Sequence, residues 1–563
     1  MTTLGAAALV ALMFAAPLQP PAAKPLQTAR IWLFLDEESL PPSELNRRLN
    51  ETAARLTPRS LQRRARNIPL TPPVRRCDLP PSDERLKAVE ATGCRIMVVA
   101  RYINALSITG PPQALTSAAQ LPFVTDSRPA LTYIIDDDDY GCNYSTMGKD
   151  SNTYYRHHHH HYRDDPADYG RTWLQCAMLN VPAAHSDGLR GQGILIGVQD
   201  TGFDNLNHYC FSSLEIAAAW DFLNNDPNVG DQGDLGSGRH GTRTLSVLAG
   251  YDPGRFIGIA PQAQYVLTKT ENSAGETRIE EDYWVAGLWF HDSLGVDVLS
   301  SSVSYREWYG YADMDGRTAV TTRAADSAAA AGMVVVNSMG NTGGAGYPYT
   351  KMGAPADGRF VIGVGGVNRD STYWAASSQG PTYDGRIKPD LAALSETVSV
   401  ASSFDDTSYF YSNGTSFACP LVAGAAALVL QANPELTSRQ TLDILRRTAH
   451  SARQPDTLIG WGVPDVLAAI RMARRSVTRT TLLPVEAHFT LYPNPFNGVL
   501  TITSNAPIGA GQIVVRDLLG RCVKPEIKAI SPNIYQFDFA GLPAGRYWFR
   551  YNQHFVRQAV LMK

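Results

Sequence analysis

The sequence predicts an α/β chain whose centre, residues 173–475, is a doubly wound parallel sheet, with a small α+β domain before it and a β-sandwich after it. Three observations predict this. Between 173 and 475, short β-branched runs alternate with helical stretches, the pattern of strands buried on both faces and joined by crossover helices. Between Ala29 and about Thr132, a few strand-like runs alternate with charged helical stretches, enough for one small mixed domain. From Phe489 onward the helical period stops, and short alternating segments separated by Asn, Gly and Pro turns suit a β-sandwich of roughly 75 residues.

At 563 residues the chain exceeds what one hydrophobic core serves, so several domains are expected. A hydrophobic content of 44% with 18% charged residues excludes wholesale disorder. The net charge of −3 points to neither nucleic acid nor an anionic membrane as the main partner. Leu4 to Ala16 is apolar but too short to span a bilayer, and small residues follow it to Ala22-Ala23. Residues 1–23 therefore read as a secretory signal peptide cut near Ala16 or Ala23. No Cys lies near that cut, which disfavours a lipid anchor, and no other segment predicts a transmembrane span. The seven cysteines form no CxxC pair, so a thiolate zinc site has no support, and their odd number leaves at least one without a partner in the chain.

The elements follow in order. In the domain at 24–132, Ile31–Leu35 and Ile96–Ala100 are strand-like and Leu45–Arg66 is helix-compatible. Residues 133–172 form a polar junction with four aspartates (136–139) and five histidines (157–161), expected to be exposed. A flexible histidine run lacks the fixed geometry of a dedicated metal site. In the centre, residues 193–198, 296–299, 333–336 and 360–364 read as buried parallel strands, and Ala324–Ala331 as part of a crossover helix. Ligands of such a sheet bind at the carboxyl ends of its strands. A basic, Thr-rich linker is expected at 476–487, and the sandwich at 488–563.

Three motifs in the centre carry chemistry. In Val198-Gln199-Asp200-Thr201-Gly202 a strand ends on an aspartate and a glycine turn, where a carboxylate can orient an imidazole. Gly238-Arg239-His240-Gly241-Thr242 places a histidine at the start of a helix, and imidazole is the natural general base near neutral pH. Asn413-Gly414-Thr415-Ser416-Phe417-Ala418-Cys419-Pro420 leads into a helix apolar on all faces, so Ser416 would sit at the amino end of a buried helix, where backbone N–H groups favour an oxyanion. Pro420 reads as tolerated within the first turn. A fourth element, Val336-Asn337-Ser338-Met339-Gly340-Asn341, ends a strand on an amide that can donate to the same oxyanion. Taken singly, each also reads as a helix cap or a turn residue.

With the chain order Asp, His, Asn, Ser, the stretch from about Arg171 to Ile470 resembles the subtilase family of serine peptidases. Ser377-Ser378-Gln379-Gly380-Pro381 and Asp384–Asp390 add to the likeness. The resemblance implies a subtilisin-like fold with Asp200 as orienting acid, His240 as base, Ser416 as nucleophile, and Asn341 with the Ser416 N–H as oxyanion hole. It also implies peptide substrates held by main-chain pairing along Ser302, Val303 and Ser304, and chemistry that needs no cofactor. Many subtilases use structural calcium, for which the Ala312–Gly316 turn offers an incomplete ligand set. Phe417 stands where Met is commoner, and Cys419 reads as a small buried hydrophobe.

The flanks carry their own resemblances. Arg59–Arg64 and Arg101–Ser107 resemble the propeptide of secreted bacterial subtilases, an intramolecular inhibitor removed by a cut in the 133–172 junction. Leu491–Asn497, Val515–Arg521, Leu542–Tyr547 and the terminal residues 560–563 resemble a type IX secretion sorting domain. That implies the type IX machinery as a partner and release from, or display on, a Gram-negative cell. The rivals are a silent binding protein on a peptidase scaffold and an esterase. The full motif set argues against the first, and the absence of a Gly-x-Ser-x-Gly elbow against the second.

Overall fold

The computed structural model describes residues 29–130, 166–475 and 489–562, with short breaks at 233–237, 274, 276, 345–348, 493–495, 505–512, 518–520, 532–533 and 552–554. The predicted signal peptide, the aspartate and histidine runs of the junction and the 476–487 linker lie outside the described residues. The chain divides into two compact units, Met1–Arg475 and Ser476–Lys563.

The first unit opens with a four-stranded antiparallel sheet, order β2–β3–β1–β4, where β1 is Ala29–Leu35, β2 Arg95–Ala100, β3 Ala105–Gly110 and β4 Val124–Ala130. β1 is apolar at successive positions, and the two-residue period of a strand gives each face its own core. Leu33 and Leu35 pack with Leu106, Ile108, Val89 and Leu115 inside the amino-terminal domain. Trp32 and Phe34 turn the other way and share a core with Trp284, Leu288 and Ala325 of the central domain. The helical stretch expected at Leu45–Arg66 is two helices, α1 (Pro42–Ala53) and α2 (Pro58–Ala65). The break has a local cause. Pro58 opens α2, and the Thr57 hydroxyl caps it by accepting from Ser60 N at 3.2 Å.

The central domain is a seven-stranded, all-parallel sheet in which β5 (Leu195–Asp200) lies between β8 (Val298–Ser301) and β7 (Gln264–Lys269). β6 (Glu215–Asp221) borders β7. Beyond β8 come β9 (Val334–Ser338), β10 (Ile362–Val367) and β11 (Leu391–Leu394). The chain leaves β5 in one direction and returns on its other side at β8, so the topological switch point lies between these strands. Each observed strand runs further toward its carboxyl end than the apolar run that predicts it. The ladder continues through polar residues such as Gln199, Asp200, Ser300, Ser301, Asn337 and Ser338.

Thr415–Ala432, the one described helix long and apolar enough to cross a membrane, is instead 89% buried in the protein. The other unit is two four-stranded antiparallel sheets around Phe496, Leu500, Ile502, Phe537, Phe539, Tyr547 and Phe549. Phe539 lies edge-on to both Phe496 and Tyr547, with ring centroids 5.0 Å apart in each pair.

The ion pairs between the amino-terminal and central domains, among the described residues, have one polarity. Arg30 meets Asp282 at 2.8 Å, Arg64 meets Asp292 at 2.5 Å, Arg63 also binds Asp292, and Arg59 binds Asp297. Every arginine comes from the amino-terminal domain and every aspartate from the central one. Asp282 and Asp292 lie on the helix Ile279–Leu294, under the sheet and under α2 respectively. Burial pushes the Asp282 carboxyl up to about 7, against the pull of Arg30 and of the Ser107 hydroxyl. Arg63, Arg64 and Asp292 are almost wholly hidden from solvent. Removing the shared carboxylate strands two buried cations. Asp292→Ala is therefore expected to lower stability by about 3–5 kcal/mol in denaturant titration. A loss under about 1 kcal/mol would mean that Asp78 and the Val296 carbonyl hold the arginines without it.

Candidate active site

Asp200 ends β5 and is completely buried. Its Oδ1 accepts from His240 Nδ1 at 2.6 Å and from the Thr201 N–H at 2.8 Å. Its Oδ2 accepts from Thr244 Oγ1 at 3.0 Å. His240 is the second residue of the helix Arg239–Ala249, and its ring keeps about a quarter of its surface in solvent. The approach of helix to strand depends on glycine. A Cβ on Gly241 would stand 2.1 Å from Gly202 O and 3.1 Å from Asp200 Cβ, and Gly202 itself has φ +125°. Thr244 is a site residue that the motifs do not mark. The signal is in the sequence, because it follows His240 by four residues and so shares its helix face.

Ser416 lies second in the helix Thr415–Ala432, whose residues are buried from Thr415 through Leu430. The neighbouring Phe417 ring is centred 6.0 Å from the His240 ring, so the serine, histidine and aspartate motifs converge. The Ser416 hydroxyl donates to the Ser302 carbonyl at 3.3 Å rather than to the imidazole. Pro420 is not in the first turn as expected but inside the helix. Lacking an N–H, it leaves the Ser416 carbonyl without its intrahelical donor. Ser302 Oγ fills that vacancy at 2.8 Å.

Register places these groups together. Ser301 of β8 is paired with Gln199 of β5 and with Asn337 of β9, so Ser302 follows level with Asp200. Ser302, Val303 and Ser304 follow β8 beyond its carboxyl end. Val303 O accepts from Asn337 Nδ2 at 3.0 Å, and Tyr305 forms a two-bond bridge with Ala354. Asn341 is exposed, and its Oδ1 accepts both the N–H and the hydroxyl of Thr415 at 2.9 Å. This turns the amide NH2 outward, beside Gly414 and the amino end of the serine helix.

Cys419 is buried against the carbonyls of Ser301 and Val336, and burial pushes its thiol up to about 12, as suits a packed residue rather than a nucleophile. The Asp384–Asp390 segment delivers no side chain to Ser416. Instead, Asp390 forms a buried cluster with Lys388 at 2.7 Å, Arg446 and the Gly363 N–H. In the Ala312–Gly316 turn, Asp313 accepts from the Gly310 N–H, and Asp315 accepts from Arg317 N, Thr318 N and Thr318 Oγ1. Those oxygens cap local donors, so the turn does not fit a calcium ligand set. Among the described residues no three His, Cys, Asp or Glu side chains gather as a metal site, and the six described cysteines are unpaired.

The reciprocal Ser302–Ser416 contact has a measurable consequence. Ser302→Ala leaves the buried Ser416 carbonyl without a donor and is expected to cost about 1–3 kcal/mol. An unchanged denaturation midpoint would show that the carbonyl finds another partner.

Residues 191–462 match the subtilase family, 30–137 the Peptidase S8 propeptide domain of Bacteroidota, and 490–558 the secretion system C-terminal sorting domain. A subtilisin of Bacillus pumilus is 30% identical over 275 residues, covering 48% of this chain and 90% of its own. Subtilisin Savinase of Lederbergia lenta is 29% identical over 294 residues, covering 52% and 96%. Subtilisin E of Bacillus subtilis is 30% identical, and the match spans 48% of this chain but only 65% of that relative's length. A buried carboxylate on a histidine, a serine opening a buried helix, and this matched stretch together place the chain in the subtilase family, with a propeptide domain before the peptidase domain and a sorting domain after it.

Proposed function

We propose that this chain is a secreted serine endopeptidase that hydrolyses peptide bonds through an acyl-enzyme on Ser416. The observation that carries the reading is the 2.6 Å bond between the buried Asp200 carboxylate and His240 Nδ1, with Ser416 at the adjoining helix start. Asp200 fixes the ring so that Nε2 faces the cleft, and Thr244 fixes Asp200. His240 takes the Ser416 proton as the hydroxyl attacks the peptide carbonyl, then gives it to the leaving amine. Water repeats the sequence to free the acid. The Ser416 hydroxyl must turn from the Ser302 carbonyl to the imidazole, a tightening of the kind unliganded sites undergo when substrate binds. Asn341 Nδ2 and the Ser416 N–H receive the oxyanion. An extended peptide adds as a strand along Ser302–Ser304. None of these steps uses a cofactor.

A fluorophosphonate probe is expected to label the processed enzyme and to fail on Ser416→Ala. Asn341→Ala is expected to cut turnover by about 100- to 1,000-fold, the range measured for the equivalent donor in a subtilisin. Labelling that persists without Ser416 would overturn the assignment of the nucleophile.

The amino-terminal domain acts on this reading as an inhibitor that is cut away within the 133–172 junction, and the sorting domain directs export by the type IX machinery to the medium or the cell surface of a Gram-negative cell. The secreted enzyme is expected to begin, by amino-terminal sequencing, inside that junction. A start before residue 120 would contradict the maturation scheme, and export of a chain truncated after residue 485 would remove the sorting role.

A further inference from the structure

We propose that Ser304 restricts the residue supplying the scissile carbonyl to small side chains. The inference rests on the reading of Ser416 as nucleophile and Ser302–Ser304 as the substrate-pairing edge. A peptide on that edge brings its reactive carbonyl carbon to Ser416 and its oxygen to the Asn341 amide. The side chain of the same residue must then enter between the Ser302–Ser304 edge and the Gly340–Asn341 turn, because these two segments flank the carbonyl.

The walls of that slot have measurable positions. Gly340 forms one of them, with φ +96°, and a Cβ built on it would stand 3.7 Å from Ser304 Oγ and 3.0 Å from Ser378 Oγ. Gly353 closes the far end, where a Cβ would meet Ser304 Cβ at 3.0 Å and Tyr305 O at 3.2 Å. The walls are fastened. Tyr305 and Ala354 exchange backbone bonds of 2.8 and 2.9 Å, and Asn337 holds the Val303 carbonyl.

The distances decide what fits. A Cα–Cβ bond is about 1.5 Å, so the Ser304 hydroxyl lies within roughly 5.2 Å of the Gly340 Cα. A ring between two walls needs about 3.5–4.0 Å on each side, hence about 7 Å from wall to wall. Rotating the hydroxyl away does not open the end, because the Ser304 Cβ itself is what faces Gly353. Glycine, alanine and serine side chains fit the slot. Phenylalanine, tyrosine and tryptophan do not. Neither glycine wall can be thinned further, which leaves Ser304 as the residue whose size sets the limit.

The test is a series of peptides differing only at the residue before the cut, digested by the processed wild-type, Ser304→Gly and Ser304→Ala enzymes. Fluorophosphonate labelling of Ser416 confirms that each variant is folded. Wild type is expected to cleave after Ala and Ser far better than after Phe. Ser304→Gly is expected to raise the Phe-to-Ala ratio of kcat/KM by about 10- to 200-fold. Ser304→Ala, which keeps the Cβ, raises it much less. Wild type cutting after Phe as readily as after Ala, or a labelled Ser304→Gly with an unchanged ratio, overturns the inference and leaves the peptidase reading intact. A wild type that neither labels nor cleaves overturns the reading on which the inference stands.

Discussion

The structure turns on one helix that has no polar face. Residues 415–430 are buried throughout, so the helix needs apolar cover on every side. It finds that cover between the parallel sheet and the helices Arg239–Ala249 and Val466–Arg475. This position brings its amino end out at the carboxyl ends of β8 and β9, against Ser302 and Asn341. Asp200 and the Ser302–Ser304 segment leave the sheet at the same edge. The convergence of distant motifs follows from burying the helix and needs no attraction between the motifs themselves. The ribbon that leads into it, Val398–Ala401 with Tyr409–Ser412, is fixed by arginines stacked on its aromatics: Arg255 on Tyr409, Arg243 on Phe410 and Arg171 on Tyr411.

The amino-terminal domain solves a different problem. On the proposed maturation scheme it must bind firmly while the peptidase domain is made and still be able to leave. An interface of apolar contacts alone would bind by area and would leave a sticky face behind. Here the apolar contact of Trp32 and Phe34 is supplemented by four arginine–aspartate pairs of uniform polarity. Buried pairs contribute little net stability because both ions lose their hydration, but breaking them one partner at a time is costly. If the whole domain departs, as that scheme requires, both partners regain water together. Such an interface opposes the loss of one partner at a time yet permits wholesale release.

How much of this was legible in the sequence depends on range. The parallel sheet, the buried helix and the order of the motifs could be read because each is a local pattern of apolar residues or glycine turns. Strand ends were less visible. Apolar runs mark the buried middle of β5, β8, β9 and β10, whereas backbone pairing carries on through Gln199, Ser301 and Asn337, which are polar but fully buried. Reading Leu45–Arg66 as one helix-compatible stretch overlooked the Thr57-Pro58 start signal, although that signal is local. Ser304 as a wall, by contrast, could not be read at all. Its neighbours Gly340 and Gly353 are far away in the chain, and the β8–β9 register and the Tyr305–Ala354 bridge bring them near it.

Pro420 shows how a local cost becomes a long-range constraint. Proline inside a helix forfeits one backbone bond and leaves a carbonyl to be satisfied. In this chain that carbonyl belongs to Ser416, and the donor that replaces the missing N–H is the Ser302 hydroxyl. Since the Ser416 hydroxyl in turn rests on the Ser302 carbonyl, the proposed nucleophile and the first residue of the proposed substrate edge hold each other at two points. A helix with a full set of internal bonds would have no such need, and its first turn could drift relative to the sheet. The missing bond therefore ties the first turn of the helix to Ser302, and on the proposed reading it holds the attacking serine beside the strand that presents the peptide. Acyl transfer relies on positioning of this kind.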